Sequence, residues 1–197
     1  MRKLTVADIA DARAYERDRD EFRRHIIEMK KARRVALGEI MTIVFENTDT
    51  MRWQVQEMAR AERMMRDEQI AHEVDTYNQL IPDRGELSGT LMIELTSELA
   101  LRDWLPRLVG VERHVWIVLP DGDRVRGTTT TEDDDRLTRP DTTAAVHFLK
   151  FAFTPGQVDM FASGRVHVVV DHAEYDRDVA LTAEQHVALL ADLRDDT

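Results

Sequence analysis

Cysteine is absent from the 197 residues. That excludes a disulfide framework, a thiolate zinc site, a cysteine nucleophile and an intrinsic iron–sulfur cluster, so any metal would need His, Asp or Glu. Basic charge is also short. The chain carries 38 acidic against 27 basic residues, net −11, which argues against an unassisted grip on nucleic-acid phosphates. No run approaches the roughly 20 apolar residues of a membrane helix, and Met1 to Asp8 lacks the apolar core of a signal peptide. Membrane insertion is not expected, and a cytoplasmic location is the default. Enzyme fingerprints are missing as well: there is no Walker loop, GxGxxG, GxSxG or HExxH. His72-Glu73 begins the last of these, but position 76 is Thr.

What is present suits one folded domain, since 43% of the residues are hydrophobic and the length allows a sizeable core. Thr5 with Asp8, flanked by Leu4 and Ile9, marks a first short helix. Tyr15, Phe22, Ile26 and Met29 recur at helical spacing and predict an amphipathic helix from Tyr15 to Arg34. Val35 to Phe45 is apolar on both alternating faces and reads as one interior strand. Thr48, Asp49 and Thr50 are candidate caps for a long helix reaching Leu80 and stopping before Pro82. At ~1.5 Å per residue, thirty residues span about 45 Å. Its apolar stripes diverge by about 100°, so a bend is expected near Arg66 to Gln69.

Beyond it, Leu87 to Leu95 reads as a strand, Leu99 to Leu108 as a helix ended at Gly110, and Val111 to Leu119 as a strand. Pro120-Asp121-Gly122-Asp123 turns into Arg124 to Thr129. The acidic stretch Glu132 to Asp135 reads as a solvated loop without calcium-loop spacing. Val146 to Phe153 reads as a strand, and Thr154-Pro155-Gly156-Gln157 starts a helix that Gly164 ends. Val166 to Val170 and Val179 to Leu181 suggest a hairpin, and Thr182 with Gln185 caps the final helix. The fold class is α+β: N-terminal helices, including one long helix, packed on a mixed, mostly antiparallel sheet. Residues 1–82 form the mainly helical part with one strand, and 83–197 the sheet-rich part.

Glu62 is the sharpest anomaly, because helical spacing sets it on the stripe of Met51, Val55, Met58 and Met65. An inward carboxylate there could bind a metal, serve as acid or base, or pair with Arg33 of the preceding helix. It could equally end a narrower stripe. Gln54, Glu57, Glu68 and His72 share the neighbouring flank, and His25 with Asp18 lies beside the stripe of the preceding helix. Glu57, Glu62, Glu68, His72 and His25 are thus the candidate ligands for iron, manganese or zinc. Glu68 to His72 is one residue longer than the Glu-x-x-His of di-iron bundles, and surface hydrogen bonding explains it as well. His147, His167 and His172 form a metal site only if their strands meet; a satisfied core histidine at 147 is the plainer reading. Lys30, Lys31, Arg33 and Arg34 make the one basic cluster, fit to receive an anion or acidic partner, or to complement a helix C-terminus.

The words Lys31-x-x-Arg34-x-x-x-Gly38, Phe45-Glu46-Asn47-x-x-Thr50-x-x-x-Gln54-x-x-Glu57-Met58-x-Arg60-x-Glu62, Tyr77-Asn78-x-Leu80-Ile81-Pro82 and Leu87-x-x-Thr90-Leu91 resemble bacterial domain-of-unknown-function family three thousand five hundred and one. The resemblance covers nearly the whole chain and assigns no catalytic residues. It implies a genomic context beside rubrerythrin-like proteins and iron–sulfur oxidoreductases of the heterodisulfide-reductase type. The resulting expectation is a non-enzymatic accessory protein that contacts such a partner through Lys30, Lys31, Arg33, Arg34, Gln54, Glu57 and Glu62. The alternative is a metal- or small-ligand-binding redox enzyme built on the Glu/His flank. Self-association into a homo-oligomer is left open.

Overall fold

Local capping chemistry places most helix starts where the spacing predicts them. Thr5 and Asp8 close a capping box around a 3-10 turn at Val6–Asp8. Helix α1 (Ala12–Lys31) begins at Asp11, whose carboxylate accepts from the Arg13 and Ala14 amides, and it buries Tyr15 and Ile26. The computed structural model describes residues 1–129 and 141–195, so the expected Glu132 to Asp135 loop lies outside the described residues. Helix α2 (Thr48–Ala61) is capped by Asn47, one residue before the expected candidates. The Asn47 side chain accepts from Thr50 N at 2.9 Å, and Thr50 Oγ1 accepts from Asn47 N at 2.8 Å.

The expected long helix is two helices. Helix α2 gives way to α3 (Asp67–Asn78), and the break falls at Glu62 to Arg66, slightly before the expected bend. Arg63 N donates to Arg60 O and Met64 N to Ala59 O, while Arg63 sits in the left-handed region at φ 53°. This is a Schellman ending with arginine where glycine is usual. Two apolar stripes about 100° apart cannot both face one core from a straight helix; breaking the helix lets Met51 and Val55 of α2 and Val74 of α3 enter the same cluster.

The expected strand from Val35 to Phe45 is also two elements, β1 (Arg34–Ala36) and β2 (Met41–Glu46), paired as a hairpin. Gly38 turns it at φ 84°, and a Cβ there would lie 2.5 Å from Tyr175 Oη and Arg177 Nε. The chain leaves β2 after Glu46 and returns in β3 (Glu86–Ile93) opposite the same end, Glu46 facing Ser88. A two-helix excursion that returns to its starting end makes the pair antiparallel. Helix α4 (Glu98–Arg107) and a 3-10 turn at Val111–His114 precede β4 (Val115–Val118). The turn replaces the first half of the expected strand.

Strands β5 (Arg124–Arg126), β6 (Thr128–Thr129) and β7 (Val146–Ala152) follow. Then come α5 (Pro155–Ser163), β8 (His167–His172), β9 (Tyr175–Ala180) and α6 (Ala183–Arg194). Both α5 and α6 start at the capping boxes read from Thr154 with Gln157 and Thr182 with Gln185. The strands form a five-stranded sheet, β1-β2-β3-β7-β6, and a four-stranded sheet, β5-β4-β8-β9. Every described pairing is antiparallel, in keeping with the mostly antiparallel sheet expected, and the strands divide between two sheets. The α+β class stands, with helices packed on sheet.

The main core lies between the sheets, where Ile43, Phe45, Leu91 and Phe151 meet Ile117, Val168 and Phe161 of α5. A smaller cluster of Leu4, Met51, Val55, Val74, Leu80 and Ile81, with Phe148 of β7 packed against it, holds α2 and α3 on the other side of the larger sheet. Across the molecule, Arg33 grips Asp192 of α6 with two hydrogen bonds, 2.5 and 2.8 Å, both residues buried. Among the described residues no helix is long and apolar enough to cross a membrane.

Candidate functional site

The helical layer contains the best-defined recess. Where the first 3-10 turn, the start of α1, the end of α2 and the start of α3 converge, they leave a cleft of about 220 Å³ walled by Ile9, Tyr15, Ala59, Met64, Met65 and Ile70. Its floor is tied by Gln56, which is buried. Ala10 N donates to Gln56 Oε1 at 3.0 Å and Gln56 Nε2 donates to Ala10 O at 2.9 Å, an amide clamp that fixes the chain entering α1. At the rim Met65 is 80% exposed, carried by the turn that ends α2.

The Tyr15 wall is braced from behind. Its phenol donates to Glu57 Oε1 at 2.6 Å, and Arg19 holds both oxygens of the same carboxylate at 2.7 and 2.8 Å. The Arg19 hydrogen bonds, seconded by Tyr15, keep the Glu57 carboxyl below its ordinary range. Burial, and then the hydrogen bond to Glu57, push the Tyr15 phenol well above its ordinary range. Tyr15 is therefore held as a neutral donor to Glu57. Trp53 packs edge-on against Tyr15 and Phe22, with ring centroids 6.3 and 5.4 Å apart. The arrangement is a largely apolar recess with a polar brace.

The inward carboxylate exists, sixteen positions before the one the sequence points to. Glu62 is exposed and closes α2 as its C-cap residue. Glu46, the last residue of β2, is buried at 3% exposure. Because Ile43 and Phe45 enter the core between the sheets, strand alternation turns Glu46 toward the helical layer. Thr90 Oγ1 donates to Glu46 Oε1 at 2.7 Å; Oε2 is buried without a hydrogen-bond partner among the described residues. Extending the strand alternation one residue past Phe45 is the sequence signal that would have located it.

With that geometry in view, comparison with known proteins is specific. Residues 3–193 match the family described as Protein of unknown function (DUF3501). The chain belongs to DUF3501. A crystal structure of a novel protein of unknown function from Burkholderia pseudomallei K96243 is 31% identical, with a TM-score of 0.89 over 98% of this chain and 100% of that one. No curated protein matches.

The remaining expected site residues scatter over the DUF3501 fold. Gln54 is half-buried on α2, Glu57 sits in the Tyr15 brace, and Glu68 and His72 are exposed on α3. His25 is exposed on α1. Among the described residues no group of three or more His, Asp or Glu is placed to hold a metal ion; the break after Glu62 removes the shared flank on which that grouping depended. The basic cluster is likewise divided. Lys31 pairs with Glu28, Arg33 with Asp192 and Arg34 with Glu94, while Lys30 is half-buried. Arg33 pairs with Asp192, not with Glu62.

His147 is fully buried, its Nε2 3.0 Å from both Thr143 Oγ1 and Ala144 O, with Nδ1 unpartnered among the described residues. It lies in the larger sheet; His167 and His172 lie in the smaller one and pair elsewhere.

Proposed function

We propose that this DUF3501 protein is a non-enzymatic accessory protein whose helical layer docks on a redox partner of the iron–sulfur or rubrerythrin-like kind. The observation that carries the docking site is the cleft beside Met65. Its volume, about 220 Å³, falls below the roughly 300–1,000 Å³ of small-molecule sites and suits an apolar anchor side chain of a partner. Methionine adapts to the shape of such an anchor, and Arg60 and Asp67 supply a polar rim. The redox character of the partner rests on the genomic context that the family resemblance implies. A chain without cysteine reaches cluster chemistry only by contacting a protein that carries it.

The test is tagged purification from the native host of wild type and of Met65→Glu, a change at an exposed position. An iron–sulfur oxidoreductase or rubrerythrin-like protein is expected with wild type and is lost in the variant. Repeated absence of such a protein under mild conditions overturns the partner class. Equal recovery with Met65→Glu overturns the cleft as the docking site.

A further inference from the structure

We infer that the outer face of the four-stranded sheet binds a second copy of this chain, with the two-fold axis running along the strands. Val115, Ile117, Val125, Val168 and Val170 point into the core, so alternate residues of the same strands point away from it. None of the described helices supplies a buried apolar cluster on that side. The face is polar in an ordered way. Edge strand β5 presents Arg124 and Arg126, and the opposite edge strand β9 presents Asp176 and Asp178, all four exposed. Half-buried Trp116 and Val169 lie between them.

Register converts this gradient into self-complementarity. Trp116 pairs with Arg126 on one side and Val169 on the other, and Val169 pairs with Asp178. One row across the sheet therefore reads Arg126, Trp116, Val169, Asp178. Rotating a second copy by 180° about an axis parallel to the strands reverses that row and keeps its position along the strand. Arg126 then faces the partner's Asp178, and Trp116 faces the partner's Val169, twice each by symmetry. The other in-plane two-fold, perpendicular to the strands, stacks arginine on arginine, so charge selects between the two packings.

The arginines are ordered before any contact. Arg124 and Arg126 lie over the Trp116 ring at 4.4 and 5.4 Å. Arg124 also donates to Asp171 at 2.7 Å, and Arg126 Nε to Arg113 O at 3.1 Å. Pre-ordered guanidiniums lose little freedom on association. Four strands about 4.8 Å apart give a face roughly 19 Å wide, which at about 3.4 Å per residue narrows from roughly 20 Å along the six-residue β8 and β9 to roughly 10 Å along the three-residue β5. That is below the standard interface size, so the dimer is a weak one in exchange with monomer. It leaves both helical-layer clefts facing outward, on the far side of each subunit's larger sheet.

Sedimentation equilibrium over a wide concentration range at low and high salt tests this. Wild type self-associates, and more weakly in high salt. Arg126→Asp and Asp178→Arg each lower the association constant at least tenfold with unchanged circular dichroism. Mixing the two single variants restores it, because both cross-interface pairs are then Asp with Arg. A wild type that is monomeric throughout, single variants that associate like wild type, or a mixture that fails to recover overturns the proposal.

Discussion

Removing the carboxylate of Asp192 is the sharpest test of how the two halves of the molecule are joined. Arg33 stands between α1 and β1, and Asp192 in the last turns of α6, 159 positions away. Each side chain is less than a tenth exposed. Asp192→Ala leaves the Arg33 guanidinium buried without its acceptor, which costs about 3–5 kcal/mol because water cannot replace both hydrogen bonds. With an assumed urea slope of about 2 kcal/mol per molar, the unfolding midpoint falls by about 1.5–2.5 M. A domain in the middle of the typical range, about 10 kcal/mol, stays folded. The partner experiment is Arg33→Met with Asp192→Leu, which removes both charges and fills the space; it is expected within about 1 kcal/mol of wild type. Urea titration followed by circular dichroism measures all three chains. A midpoint shift under about 0.5 M for Asp192→Ala, or a double variant as unstable as the single one, refutes the reasoning.

Arg63→Gly relieves a left-handed backbone that glycine adopts freely, and is expected to raise stability by about 0.5–1 kcal/mol in thermal unfolding; a loss shows that the side chain contributes more than the strain costs. Glu46→Gln keeps an acceptor for Thr90 and replaces a buried carboxylate oxygen that has no partner among the described residues. It is expected to leave stability at pH 7 unchanged or about 1 kcal/mol higher, and a loss beyond 1 kcal/mol speaks for an ionised partner at that oxygen. The Glu57 carboxyl is depressed when folded, so its contribution is full above the unfolded value of about 4.3 and is lost as pH falls through the folded value. Urea midpoints from pH 6 to 2.5 are expected to fall less steeply in Glu57→Gln than in wild type; parallel curves contradict this. Elemental analysis of protein grown with iron, manganese and zinc is expected to give substoichiometric metal, and chelator to leave the melting temperature unchanged. Stoichiometric metal would revive the Glu/His flank as a site.

Much of the fold was legible because its signals act within a few residues. The boxes of Thr5 with Asp8, Thr154 with Gln157 and Thr182 with Gln185 close over three positions, and the Asp121-Gly122 turn over fewer. The hairpin at Gly38 was not legible, for a reason in its register. Val35 faces Ile43 and Arg34 faces Val44, so paired residues share parity and the alternation passes through the turn without a change of phase. A strand of doubled length produces the same pattern. The helix break was hidden differently: its left-handed residue is Arg63, and neither glycine nor proline announces it.

The site was less legible because its contacts are long-range. Tyr15 meets Glu57 across 42 positions and Thr90 meets Glu46 across 44, distances at which spacing carries no information. Placing Glu62 inward assumed helical phase continuing past Ala61, and the same assumption put Met65 in the core when it is 80% exposed. Yet the segment that opens this region is the structural junction. Phe45 enters the core between the sheets, 6.1 Å from the ring of Phe151. Glu46 turns under the helices, and Asn47 caps α2. Three consecutive side chains thus link core, sheet and helical layer. Because α2 carries Gln56, Ala59 and Arg60 to the cleft, the pitch at which Asn47 starts that helix sets the shape of the recess about three turns away.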